Sequence, residues 1–519
     1  MIETEPGSGE PGPPETADWL RMRRTLPGSR QVAGLLVRWL GFVYFWVFLA
    51  WWEQAAGLIG PRGILPAGDF LAAVRANFGF WHRLWMAPSL LWLGSGTAAL
   101  GWVCALGMAG ALAAMLRPWP RLAVPRAGLA LSLACFISLI ATAQAFASYQ
   151  SDGMLISAGF IALFLDDRAP SWWSLFSFRW LWFSIYFGSG IAKLLSGDPE
   201  WRHLTALDHY YEYLPLPNWA GWYVQQHLPH AAEAAIAVAI LATELGLAWL
   251  CFGPRRLRVI CFWITTPLQL GLIATANYGF LNYLVLGLGL ALLDDRHLAW
   301  LAQRARWWRL PGAEAGARTA GFATAAGSLA LALWFSITAA NIAQRMWRDF
   351  PAPERLSAAL EPFRLVDPFG LFAVMTTARY EIEFQGTSDG STWLPYPFRF
   401  KPQDPKRAPS GDIFYLAPYQ PRFDWNLWFA ALGSYRQNPL VEQTELDLLQ
   451  NDPAVVGLFA GNPFPRTPPR AVRAVLWQYW FSTPAEKRQQ GVWWTRRLLG
   501  LYAPILVMTP QGVRALPAQ

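Results

Sequence analysis

The chain has 519 residues, of which 54% are hydrophobic and only 15% charged, with 31 tryptophans and a formal net charge of +8. A soluble protein carries roughly 25% charge, so this balance excludes an ordinary soluble globule and points to several membrane spans with tryptophan in the interfacial belts. The arginines cluster between apolar runs, so topology explains the positive excess better than nucleic acid does.

The first residues, MIETEPGSGEPGPPETAD, are rich in Pro, Gly and Glu, and residues 1–34 read as a disordered cytoplasmic tail. The first apolar run begins only near Leu35 and lacks a small-residue cleavage site, which makes it an uncleaved first span. A span needs about 20 apolar residues. Runs at 35–52, 89–116, 124–147, 154–165, 180–196, 231–252, 257–276, 278–293 and 319–343 give a helical bundle of about nine spans over residues 35–343, the fourth of them short. With the N-terminus in the cytoplasm, alternate loops hold Arg117, Arg121 and Arg126; Arg168 and Arg179; Arg255, Arg256 and Arg258; and Arg296, Arg304, Arg306, Arg309 and Arg318. The opposite loops hold only Arg62, Arg75 and Arg83 in one and Arg202 in another, the positive-inside asymmetry. The region after about residue 344 is then expected on the non-cytoplasmic side.

Residues 344–485 change character: many prolines, mixed charge, no long apolar run and no cysteine. In ARYEIEFQGTSDGSTW, Tyr380, Ile382 and Phe384 alternate with Glu381, Glu383 and Gln385, which predicts a half-buried strand ending in the turn Ser388–Asp389–Gly390. AVRAVLWQYWF at 471–481 reads as a second strand, and VEQTELDLLQNDPAVVGLFAG between them as helical. A small α+β or β-rich domain follows, with residues 486–519 as a C-terminal extension.

The sequence holds no G-x-S-x-G, no H-E-x-x-H, no P-loop and no placed dinucleotide fingerprint, and only six histidines. The four cysteines, Cys104, Cys135, Cys251 and Cys261, lie in or beside apolar spans without C-x-x-C spacing and read as small core hydrophobes; no metal or cofactor is called for. The feature that asks for an explanation is Lys193 in FGSGIAKLLSGDPEW, inside an apolar run, where an ammonium costs about 3 kcal/mol even on lenient insertion scales. Either it snorkels to the headgroups, or it pairs with Glu233 or the deeper Glu244 of the next span, or it meets a ligand. The loop SGDPEWRHLTALDHYYEYLPLPNW that follows gathers Asp198, Trp201, Arg202, Asp208, His209 and Tyr210, as a solvated loop or as an outer-mouth site. Gln269, Asn277 and Asn282 form a polar series, for inter-helix hydrogen bonds or a cavity lining. In APYQPRFDWNLWFAALG, Trp425, Trp428 and Phe429 share a helical face beside Arg422 and Asp424, as core packing or, if exposed, as a docking patch.

These stretches resemble the lipase maturation factor family, most densely in YFGSGIAKLLSGDPEWRHLTALDHYYEYLPLPN, ELGLAWLCFGPRRLR, ANYGFLNYL, GLFAVMTTARYEIEFQGTSDGSTW, RFDWNLWFAALG and LAGNPFPRTPPRAVRAVLWQYWF. The resemblance runs from the first span to about residue 485. It implies a polytopic membrane protein that assists maturation of secreted proteins, lipases in the animal members, in the endoplasmic reticulum membrane of eukaryotes. The Arg-, Ala- and Trp-rich, Lys-poor composition looks bacterial, which would place the protein in the inner membrane with its C-terminal domain in the periplasm. Ser157 and Tyr419 depart from the family pattern, which has an acid and a histidine there, and the cysteine-free outer domain excludes direct thiol exchange by that domain. YFGSGIAKLLSGDPEW is also similar to a lysine-bearing pattern in the membrane domain of vitamin-K-dependent γ-carboxylases, which would make Lys193 a base in a desolvated pocket. The leading expectation is a non-catalytic maturation factor whose client-binding residues are Arg422, Asp424, Trp425 and Trp428. The alternative is a membrane enzyme or quinone-like ligand binder with Lys193, Glu244 and His209 as its chemistry, and Asp198, Trp201, Arg202, Asp208, Tyr210 and Asn277 lining the site.

Overall fold

A computed structural model describes residues 28–116, 124–166, 170–304, 322–409 and 417–516. Residues 1–27 of the expected tail, and Arg117, Arg121, Arg168, Arg306, Arg309 and Arg318 of the topology argument, lie outside the described residues.

The membrane part is helical. Helix α1 (Arg30–Ile59) starts five residues before the apolar run does, because Asp295 reaches it from across the bundle. Its carboxylate accepts from the N–H groups of Arg30 (2.9 Å), Gln31 (3.0 Å) and Val32 (3.1 Å), first-turn donors for which a helix has no carbonyl of its own. The run expected at 89–116 becomes a 3₁₀ turn (Leu90–Leu93) and then α2 (Thr97–Leu116). Next come α3 (Val124–Ile140), α4 (Gln150–Leu163), α5 (Trp172–Ser196), α6 (His230–Leu245), α7 (Arg255–Thr275), α8 (Phe280–Leu288) and α9 (Phe322–Met346). Small residues let α2 and α3 touch: a Cβ on Gly110 would lie 2.5 Å from the carbonyl oxygen of Gly128, so only glycine permits the approach.

Among the described residues, five helices are long and apolar enough to cross a membrane: Arg30–Ile59, Thr97–Leu116, His230–Phe252, Arg255–Thr275 and Ala325–Met346. Pro125–Ile140 and Phe280–Leu292 are apolar but shorter. The expected short fourth span is the 14-residue α4, buried along nearly all its length. Helix α5 has 25 residues but carries Arg179, Lys193 and five serines among its aromatics. Helices packed inside the bundle are shielded from lipid by protein and do not need uniformly apolar surfaces.

A two-residue antiparallel ladder joins β1 (Leu216–Pro217) to β2 (Ala276–Asn277). The C-terminal domain is a six-stranded antiparallel sheet of β3 (Arg379–Thr387), β4 (Leu394–Pro395), β5 (Ala471–Phe481), β6 (Trp494–Leu501), β7 (Ile505–Thr509) and β8 (Gly512–Leu516). Its order is β4-β3-β5-β7-β8, and β6 pairs the other part of β5. Helices α10 (Arg422–Ala431) and α11 (Pro439–Leu449) pack with it.

Two expectations change here. The division at residue 485 cuts through the sheet, since β6 and β7 both pair with β5. A sequence reading misses this because β6 and β7 are short, and their pairing with β5 is visible only in three dimensions. Strand β3 is not half-buried: Glu381 and Glu383 are buried too. Glu381 pairs with Arg379 and with Lys401, the latter at 2.7 Å, and Glu383 pairs with Arg496 at 3.3 Å. Alternation marked two faces correctly, but cations brought from elsewhere in the chain allow the acidic face to be covered as well.

Candidate functional site: the seam between bundle and outer domain

Lys193 lies in the last turn of α5, and Glu244 near the end of α6. The Nζ donates to both Glu244 carboxylate oxygens, at 2.8 and 2.9 Å, and to the Leu371 carbonyl oxygen at 3.1 Å. The rings of Trp201 and Phe372 flank the ammonium at 5.0 and 5.8 Å. The side chain is 1% exposed, so Lys193 does not snorkel. Of the two acids considered, Glu244 is the partner.

Leu371 and Phe372 belong to a non-helical strap, residues 364–376, which joins α9 and the short helix after it (Glu354–Leu360) to the sheet and packs against the bundle helices. Where a half-buried irregular segment is covered, its backbone polar groups must find partners, and the bundle supplies them. Trp334 Nε1 (2.8 Å) and Ser157 Oγ (3.3 Å) donate to the Leu365 carbonyl, Asn341 to that of Val366 (3.3 Å) and Arg345 to that of Phe369 (2.7 Å). Gly370 N–H donates to Gln150 Oε1 (2.8 Å), Leu371 N–H to Ser189 Oγ (3.1 Å) and Met375 N–H to Asp198 Oδ2 (2.6 Å). Trp201 Nε1 donates to the Phe372 carbonyl at 2.9 Å. A Cβ on Gly188 would stand 2.6 Å from the Phe369 carbonyl oxygen, so glycine is needed where α5 meets the strap.

A second junction lies at α10. Arg422 enters the bundle and makes a bidentate pair with Asp152, Nη2 to Oδ1 at 2.6 Å and Nη1 to Oδ2 at 3.0 Å, while Nη1 also reaches the Phe146 carbonyl at 2.7 Å. The guanidinium lies over the Trp51 ring at 4.6 Å. From α1, Gln54 donates to the Gln420 carbonyl (3.1 Å) and accepts from Phe423 N–H (3.3 Å). Tyr419 donates to Glu53 at 2.8 Å. A third junction joins the segments on either side of β1 to the sheet. Glu212 Oε2 accepts from Phe481 N–H at 3.0 Å, Arg379 donates to the Glu212 carbonyl at 3.0 Å, and Trp222 Nε1 donates to the Ser482 carbonyl at 3.0 Å. Burial pushes the Glu212 carboxyl up to about 7, opposed by the Phe481 N–H and by Arg379.

The structure thus brings together Lys193, Glu244, Asp198 and Trp201, with Tyr210 beside Phe372 at 6.3 Å between ring centres. It does not add the other loop candidates. His209 stacks on Tyr213, Arg202 is exposed, and Asp208 bonds His230. Asn277 turns the chain after β2, accepting from Gly279 N–H at 2.9 Å. Gln269 donates to the Tyr186 hydroxyl at 2.9 Å, an inter-helix bond rather than a cavity wall. In the outer domain, Arg422, Asp424, Trp425 and Trp428 are all buried, so the exposed-patch alternative is corrected. Trp425 packs on Tyr149 and Tyr278 of the bundle, and Asp424 accepts from the N–H groups of Phe400 (3.3 Å) and Lys401 (3.1 Å). Of the helical stripe, Trp425 and Trp428 are buried, while Phe429 meets Tyr149 at 5.9 Å and stays 48% exposed.

Sequence reasoning missed the strap, Asp152, Gln150 and Ser189. Asp152 gave a signal, an acid at the head of an apolar run. The strap gave little: its sequence RLVDPFGLFAVMT carries neither helical nor strand period. Ser157 and Tyr419 both hydrogen-bond across the seam.

Residues 31–300 match the family model for the lipase maturation factor transmembrane domain, and residues 365–504 match that for the lipase maturation factor C-terminal domain. Lipase maturation factor 1 of Bos taurus is 31% identical over 91% of this chain and 88% of its own length. Human lipase maturation factor 2 is 30% identical over 92% of this chain and 83% of its own. No solved structure matches the chain. Both halves of the molecule, the bundle and the sheet joined to it at the seam, therefore carry the same kinship, and the chain belongs to the lipase maturation factor family.

Proposed function

We propose that this integral membrane protein assists the maturation of exported lipases without catalysing a reaction, using the bundle as a rigid mount for the outer domain. The observation that carries the reading is the seam: the polar groups best placed for chemistry are spent on joining the two halves, with Lys193 held by Glu244 and the strap, and Arg422 by Asp152. The alternative of quinone or lipid chemistry at Lys193 would first have to displace Glu244 and Leu371. With nine crossings and a cytoplasmic N-terminus, the sheet domain stands on the side where exported chains fold: the periplasm if the protein is bacterial, the lumen of the endoplasmic reticulum if it is eukaryotic. The surface we assign to clients is the outer part of the sheet, where Leu498, Leu499, Met508 and Val513 are exposed apolar side chains and β8 ends the strand order.

The test compares secreted lipolytic activity per unit of secreted lipase, with and without the protein. Activity that falls while the lipase transcript stays constant is expected, as is rescue by the intact chain and poor rescue by Met508→Asp with Val513→Asp. Unchanged specific activity of every secreted lipase would overturn the proposal.

A further inference from the structure

Glu233 stands in the first turn of α6, only 4% exposed, and its Oε1 has no hydrogen-bond partner among the described residues. Asp208, from the loop after α5, and His230, one turn earlier on α6, stand beside it. One donor atom from each of the three lies within 4.8 Å of the other two. The His230 Nδ1 to Asp208 Oδ1 distance is 2.9 Å. Two carboxylates so close, one of them buried, repel unless a positive charge sits between them, either a proton or a metal ion. The imidazole engages Asp208 and leaves the Glu233 oxygen unpaired, so it does not fill that role.

The donor set favours the metal. An imidazole nitrogen and carboxylate oxygens are each ligand types that zinc accepts, the imidazole favours a transition metal over magnesium or calcium, and three residues leave a fourth position for water. Access is provided too: the side chains of His230 and Asp208 are 59% and 29% exposed, while Glu233 forms the floor. His230 and Glu233 are three residues apart on a helix and so share a face. We infer that Asp208, His230 and Glu233 form a binding site for a divalent transition-metal ion of the zinc class, which ties the loop after α5 to the head of α6. This inference is independent of the lipase reading.

The test uses the full chain without an affinity tag, purified in detergent, stripped with chelator and titrated with zinc chloride by calorimetry. One saturable equivalent is expected, together with a zinc-dependent rise in unfolding temperature. Glu233→Gln and Asp208→Asn should each weaken binding by at least about tenfold and abolish the rise. Because Glu233 is buried, His230→Ala at the exposed corner provides a variant that leaves the packing alone, and it should weaken binding equally. No saturable binding up to about 1 mM zinc, an affinity too weak for a built site, would show that a shared proton holds the carboxylates and would overturn the inference. So would unaltered binding in the Asp208→Asn, Glu233→Gln double variant.

Discussion

Replacing Lys193 by Met is the perturbation that separates a structural lysine from a chemical one. The change keeps the length and apolar stem of the side chain and removes the ammonium. Glu244 then keeps a carboxylate in a site that has lost the cation paired with it, and the Leu371 carbonyl loses its donor. Breaking a buried pair from one side costs about 3–5 kcal/mol, because the stranded charge has lost its solvent and gained nothing. Replacing Glu244 by Gln as well removes that charge and leaves mainly the unpaired Leu371 carbonyl, worth about 1–3 kcal/mol. The double variant should therefore recover about 2 kcal/mol, more than a tenfold change in the folded-to-unfolded ratio. The assay is unfolding of the purified chain in mixed micelles, with lipase maturation measured on the same variants. A structural lysine predicts that the double variant regains both stability and activity. A double variant as unstable as the single one would refute the paired-charge argument. A stable but inactive double variant would return Lys193 to chemistry.

Three other outcomes follow from the same geometry. Asp152→Asn leaves Arg422 buried without its counter-charge, costs about 3–5 kcal/mol and should open the seam to protease near α10; unchanged digestion would count against that junction. Gly188→Ala, whose methyl meets the Phe369 carbonyl, should loosen the strap and expose residues 364–376 to cleavage, whereas Gly79→Ala, with open space around it, should be silent. Burial, with Glu442 adding to it against the Ala474 N–H, pushes the Glu445 carboxyl up to about 9. A folded-state value above the unfolded one means stability that is complete in acid and lost as pH rises from about 4.5 through 9. Glu445→Gln should accordingly stabilise the outer domain at pH 8, have little effect at pH 4, and flatten the pH profile of unfolding; a profile as steep as that of the parent chain would contradict this.

The family, the helical membrane part and the strands at 379–387 and 471–481 were legible in the chain, because apolar run length and period are local properties that neighbouring residues carry by themselves. The Lys193–Glu244 pair was legible as one of three alternatives: sequence can mark a costly charge in an apolar run but not say what stands opposite it. The third dimension decided the rest. The Trp425 and Trp428 stripe read as core packing or, if exposed, as a docking patch, and only the fold buries both rings, with Tyr149 and Tyr278 against Trp425. Asp152 and Arg422 are 270 residues apart, and the strap has no period to announce it. A loop packed against helices is held by hydrogen bonds to whatever the fold places beside it, so its partners Gln150, Ser189, Asp198 and Trp201 acquire their role only when the helices that carry them are packed.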